Sequence, residues 1–122
     1  MINNKDGLKF EIFFNSIFEF AEKEGLLLFE IEEKDEFAPV KNHDGENSNT
    51  PSLTRIKMSN LFKKWYKENG GEILNDDEKK ILEISFLCSY DGNNLFSNSQ
   101  IPKSIDMSKV EDGIYFKNSN IE

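Results

Sequence analysis

The chain has one cysteine, Cys88, and one histidine, His43, among its 122 residues. A single cysteine forms no internal disulfide and fits a reducing compartment. One residue of each kind also leaves no His/Cys set with zinc-ligand spacing. Glycine is sparse as well: of seven, only Gly70 and Gly71 are adjacent, so there is no glycine-rich loop to cradle a phosphate. Apolar runs such as "LLLF" are far too short to span a bilayer, and "MINNKDGLKF" lacks the basic stretch and apolar core of a secretory signal. Positive charge is the remaining shortage. Fifteen Lys and Arg against 23 Asp and Glu give a net charge of −8, a surface that repels nucleic acid and anionic membrane unless cations cluster. The densest basic patch, "FKKWYK", is short, so neither partner is expected.

Other chemistry is also missing. No serine stands in a nucleophile-elbow pattern. "HDGEN", residues 43–47, lacks the alternating ligands and closing glutamate of a calcium loop, and His43 reads as a surface histidine. The acidic side chains Glu30, Glu32, Glu33, Asp35 and Glu36 read as a solvated strand edge.

What is present is hydrophobic patterning. Phe10, Phe13, Phe14, Ile17, Phe18 and Ala21 recur at helical spacing and predict an amphipathic helix that stops at Gly25. "LLLFEI" predicts a buried strand that becomes half exposed at Glu30, Ile31 and Glu32. Residues 39–49 are crowded with Asn, Asp, Gly and Ser and form a loop. Thr50 is then a helix N-cap and Pro51 a first helical residue. Met58, Leu61, Phe62 and Trp65 mark that helix's apolar face, and Asn69, Gly70 and Gly71 end it. "ILEISFLCSY" alternates, placing Leu82, Ile84, Phe86 and Cys88 on one dry face of a strand. "DGNN" is a turn, and "IPKSID" and "GIYFKN" are shorter strand candidates. The expectation is a mixed α/β to α+β chain with a boundary in the loop near residues 42–50.

Three blocks carry a resemblance. "GLKFEIFFNSIFEFA" (through Gly7, Lys9, Glu11, Phe13, Ile17, Phe18, Phe20 and Ala21), "DEFAPVKNHDGENSNTPSLTR" (through Glu36, Phe37, Pro39, Lys41, Asn42, Gly45, Pro51 and Arg55) and "EISFLCSYDGNNL" stand in the order and at the gaps of eukaryotic UDP-N-acetylhexosamine pyrophosphorylases. The chain resembles that family from about Gly7 to Leu95, and only the C-terminal portion of its members, which are several times longer. The resemblance implies that residues 1–41 are the last helix and strand of a Rossmann-like nucleotidyltransferase domain, and 42–122 a helix plus a small β-rich domain. It implies formation of UDP-N-acetylglucosamine and pyrophosphate from UTP and N-acetylglucosamine 1-phosphate with Mg2+, in the cytoplasm. The glycine-rich nucleotide loop and the magnesium ligand of the family have no counterpart here. The chain is therefore expected to be a fragment or a truncated or decayed copy, inactive alone, whose bared apolar helix face favours aggregation or dimerisation.

By the same resemblance Lys9 contacts the UTP phosphates and Lys41 holds the phosphate of the sugar. Pro39, two residues before Lys41, restricts the loop that delivers the ammonium. Phe13 matches an aromatic residue lining the sugar pocket, but it also lies on the apolar helix face and reads equally as core. Asn15 stands where the family often has a second aromatic residue, which opens the sugar preference to glucose or another UDP-sugar. Phe86 replaces the proline of the family's E-I-S-P. Arg55 reads as structural. A non-catalytic interaction module is the alternative of a different class.

Overall fold

The computed structural model describes residues 10–97 and 101–117. Backbone contacts divide the chain into two units, Met1–Glu30 and Ile31–Glu122.

In the first unit the expected α-helix is a 3-10 helix, Phe14–Phe20, followed by a short 3-10 turn, Lys23–Gly25. The expected strand over "LLLFEI" is absent: Leu27, Leu28 and Phe29 are 91%, 90% and 86% exposed and unpaired with any strand. The physical cause is shared. An amphipathic helix takes most of its stability from packing its apolar face, and a strand needs a neighbour for its backbone groups. Phe10, Phe14, Ile17, Phe18 and Phe20 are all exposed, so the periodicity is present without the partner surface that would reward it.

The second unit contains the packed core. A short helix, α1 (Glu33–Glu36), replaces the expected acidic strand edge, and Asp35 binds it to Lys64 of the main helix, α2 (Pro51–Glu68). Among the described residues four short strands follow: β1 (Glu72–Leu74), β2 (Ile81–Ile84), β3 (Ser104–Asp106) and β4 (Gly113–Phe116). They form two parallel two-stranded ribbons, β1 with β3 and β2 with β4, in the registers Ile73↔Ile105 and Leu82↔Ile114. The result is a small α/β unit with parallel pairing and few helices.

Helix α2 begins and ends where its caps dictate. The Thr50 hydroxyl accepts the Leu53 N–H at 3.2 Å, Pro51 needs no donor partner, and Gly70 takes the left-handed φ of 87° just past the end. Its buried face, however, is rotated by about one residue from the expected one. Ser59, Phe62, Lys63 and Tyr66 are buried, whereas Met58 is exposed and Leu61 and Trp65 are half-buried. Two polar side chains occupy that face because each has a partner. The buried Ser59 hydroxyl accepts the Leu82 N–H at 2.9 Å, pinning α2 to β2. The Lys63 ammonium reaches Asp76 at 2.8 Å and the Asp77 carbonyl at 2.9 Å. Tyr66 donates to the Pro102 carbonyl.

Strand β2 is shorter than its alternation suggests. Leu82 and Ile84 are buried as expected, but the chain turns at Ser85, where the Cys88 N–H donates to the Ser85 carbonyl at 2.8 Å. Phe86 consequently faces solvent and Cys88 is half-buried. Burial raises the Cys88 thiol pKa above its ordinary value. Leu95, Ile101, Ile105 and Met107 complete the core with Phe62, Tyr66, Leu82 and Ile84.

Candidate functional site

The loop ahead of α2 carries Lys41 and is built by its own polar side chains. Asn49, at φ 54°, turns its carbonyl back so that it accepts the N–H groups of both Lys41 (2.8 Å) and Asn42 (3.0 Å). The Asn42 amide donates to the Ser48 carbonyl at 2.9 Å. Gly45 supplies a left-handed φ of 105° at the tip, a conformation open to glycine at little steric cost. A short parallel bridge joins Asp44 and Glu46.

The loop is also fastened to the helix. Asp44 Oδ1 accepts the Ser52 N–H at 3.0 Å, so α2 has a second cap beside Thr50. That backbone hydrogen bond holds the Asp44 carboxyl below the usual carboxylate range. Thr54, one turn into the helix, donates its hydroxyl to the Pro39 carbonyl at 3.1 Å. The backbone on both sides of Lys41 is thereby fixed to one helix end.

Around this loop the scarce positive charge of the chain is locally uncompensated. Lys41, Arg55 and Lys57 are exposed, and none makes an ion pair among the described residues. A cavity of about 190 Å³ is lined by Pro39, Asn49, Thr54 and Lys57. A second, of about 300 Å³, is lined by Val40, Thr54, Arg55, Phe62 and Glu83. Such a loop can present an ammonium group to an anion. His43 stays at the rim, its ring 3.6 Å from Glu46 and in contact with the Asp44 carbonyl at 3.1 Å.

The expected site residues fall in different places. Lys9 lies outside the described residues. Phe13 is in the first unit, 64% exposed, and so is no core residue there. Lys41 is in the second unit. Arg55, read from the sequence as structural, makes no side-chain hydrogen bond or ion pair among the described residues. The bracing by Asp44 and Thr54 was not foreseen. An Asp in an Asn/Gly loop ahead of a capped helix is the only sequence signal for the first, and Thr54 carries none. Among the described residues, no three His, Cys, Asp or Glu side chains gather as a metal site. None of the described helices is long and apolar enough to cross a membrane.

No protein-family model matches the chain. Individual proteins do. UDP-N-acetylglucosamine diphosphorylase 2 of Arabidopsis thaliana is 38% identical over 91 residues, covering 73% of this chain and 18% of the relative. A probable UDP-N-acetylglucosamine pyrophosphorylase of Dictyostelium discoideum is 35% identical over 94 residues, 76% of this chain and 19% of the relative. UDP-N-acetylglucosamine pyrophosphorylase of Saccharomyces cerevisiae is 30% identical over 90 residues, 74% and 18%. Similarity of this extent recurs in proteins of plant, amoeba and yeast. The chain is thus similar to UDP-N-acetylglucosamine pyrophosphorylases over about three quarters of its own length, and spans about a fifth of theirs.

Proposed function

We propose that this chain supplies the phosphate-anchoring portion of a UDP-N-acetylglucosamine diphosphorylase, a cytoplasmic nucleotidyltransferase that joins UTP and N-acetylglucosamine 1-phosphate and releases pyrophosphate. The observation that carries the reading is Lys41: an unpaired ammonium on a loop braced to a helix end, within a segment that aligns with these enzymes. In this reaction the sugar phosphate attacks the α-phosphorus of UTP. Two polyanions must approach, so fixed cations lower the repulsion and orient the nucleophile. Lys41 holds the phosphate of the sugar, Lys9 the phosphates of UTP, and Phe13 lines the sugar pocket. Magnesium, with its ligands expected outside this chain, would supply charge neutralisation at the phosphates of the whole enzyme. Residues 1–41 belong to the Rossmann-like nucleotidyltransferase domain and 42–122 to the C-terminal domain. The chain alone is inactive, because the nucleotide loop lies elsewhere.

The reading is tested in a chimera in which this chain replaces the matching segment of the Arabidopsis enzyme. The chimera is expected to make UDP-N-acetylglucosamine. Lys41→Ala is expected to lower kcat/KM for N-acetylglucosamine 1-phosphate by about 100-fold, the scale set by deleting one preorganised charge donor. Lys9→Ala should act on UTP instead. An active chimera indifferent to Lys41→Ala would remove Lys41 from the site, and turnover by the 122-residue chain alone would refute its inactivity.

The exposed Phe-rich segment favours a second reading, a non-catalytic module that pairs with another chain. Asn15 favours a third, a related enzyme acting on glucose 1-phosphate or another sugar. Comparing glucose 1-phosphate with N-acetylglucosamine 1-phosphate in the chimera separates it from the first.

A further inference from the structure

A cavity of about 540 Å³, separate from the Lys41 loop, lies beside α2 and has aromatic walls and an acidic rim. Trp65, Phe86, Tyr90 and Leu61 line it, with the carboxylates Asp35, Glu36 and Asp91 and one cation, Lys64. The rings form a continuous series. Phe62, in the core, meets Trp65 at 5.5 Å and Phe86 at 6.0 Å, and Phe86 meets Tyr90 at 6.0 Å. Phe86 is 51% exposed and Tyr90 82%, so the ring series runs from the core to open surface. Aromatic surface gathered in a concave site with polar groups around it marks a candidate ligand pocket.

The walls are held in place. Gly92, at φ 82°, packs against the Trp65 indole so closely that an added Cβ would lie 2.4 Å from the ring. The Asn69 amide holds the Gly92 carbonyl at 2.6 Å, and the Ser89 hydroxyl holds the Asn93 carbonyl at 2.9 Å. This turn sets Asp91 beside the indole, and the N–H and side-chain amide of Asn93 fix both carboxylate oxygens at 3.0 and 2.8 Å. The backbone N–H of Asn93 also keeps the Asp91 carboxyl below its ordinary pKa, so it is charged at neutral pH. Lys64, the one cation in the lining, is neutralised by its ion pair with Asp35, which leaves two of the three carboxylates to a ligand. Glu36 and Asp91 have no cationic partner among the described residues.

We propose that this cavity binds a small organic cation of the alkylated-ammonium class, seated against Trp65, Phe86 and Tyr90 and neutralised by Glu36 and Asp91. Aromatic faces attract such a cation through their quadrupole, and its apolar substituents cover the rings that an inorganic ion would leave wet. The net charge of −8 adds a long-range attraction of the same sign. A neutral sugar could stack on the rings and donate hydroxyls to the carboxylates, but it would leave their two charges uncompensated.

Trp65 is the only tryptophan, so tryptophan emission of the 122-residue chain, excited where its three tyrosines do not absorb, reports on this cavity. Choline is titrated at constant ionic strength against its uncharged isostere, 3,3-dimethylbutan-1-ol, with N-acetylglucosamine as a third probe. A saturable change is expected with choline, with the alcohol at least about tenfold weaker, as loss of a cation–π contact implies. Glu36→Gln, an exposed change outside the core, should weaken choline binding several-fold with an unaltered circular dichroism spectrum. Equal binding of alcohol and choline, tighter binding of the sugar, or no saturable response would each overturn the proposal. None of these outcomes bears on Lys41.

Discussion

At the scale of single residues, close approach and hydrogen bonding set what can be changed. Gly113 lies against β2 so tightly that a Cβ would fall 2.2 Å from the Ile81 carbonyl oxygen. Backbone cannot yield as a flexible side chain does, so Gly113→Ala should part β4 from β2 and destabilise the chain by about 1–3 kcal/mol, read from a denaturant midpoint. Leu82→Ala empties a fully buried site and should cost about 2–5 kcal/mol. Asp106 provides a pH signature. Hydrogen bonds from the Asn75 amide and from Ser108 pull its pKa from 3.8 to about 2. A folded-state pKa below the unfolded one stabilises the fold above pH 3.8, and the contribution fades as pH falls from there towards 2. Asp106→Asn should therefore flatten the acid limb of stability in that window, which a series of urea melts would reveal. The Lys63–Asp76 pair is more deeply placed. Burial opposes the charge of Asp76, but hydrogen bonds from Lys63 and Lys67 outweigh it and hold the carboxyl below its ordinary range. Leaving the buried Lys63 without that partner is the costlier change, and Asp76→Asn should lose about 1–3 kcal/mol.

At the scale of elements, α2 organises the second unit. Its first turn has two caps of different origin, Thr50 within the chain's own entry to the helix and Asp44 from the loop tip. Thr50→Ala should cost about 1 kcal/mol. Because both caps serve one helix end, Asp44→Ala and Thr50→Ala should combine non-additively in a double-mutant cycle, and simple additivity would show the loop to be independent of the helix. The apolar period located α2 but misjudged its face by one residue. Met58 and Leu61 appear inward on hydropathy, yet Ser59 and Lys63 are buried because β2 and the turn at Asp76 and Asp77 meet them with partners. Strand β1 was unforeseen: "EIL" is too short to alternate, and only pairing with β3 makes it a strand.

At the scale of the whole molecule, the two units differ in kind. Among the described residues, Ile31–Glu122 supplies every buried side chain of the core, while the large apolar side chains from Phe10 to Phe29 are exposed. Exposed apolar patches drive association. The chain should self-associate with rising concentration in sedimentation velocity, and Phe14→Ser with Phe18→Ser should reduce this. A monomer unaffected by the substitutions would show that the segment does not mediate self-association.

The sequence by itself determined the limits of α2, the loop before it, the inward Leu82 and Ile84, the strand segments at Ser104–Asp106 and Gly113–Phe116, and the kinship of the chain. These are local or evolutionary signals: a capping residue, a proline, a glycine, an alternation of two, three ordered blocks. Tertiary structure decided the parallel pairing, the rotation of the α2 face, the early end of β2 and the bracing of Lys41 by Asp44 and Thr54. Each of those depends on residues far apart in the chain satisfying one another, which no local pattern encodes. The Phe-rich segment shows the same point from the other side: a helical period specifies a face, and only a partner surface makes it a packed helix.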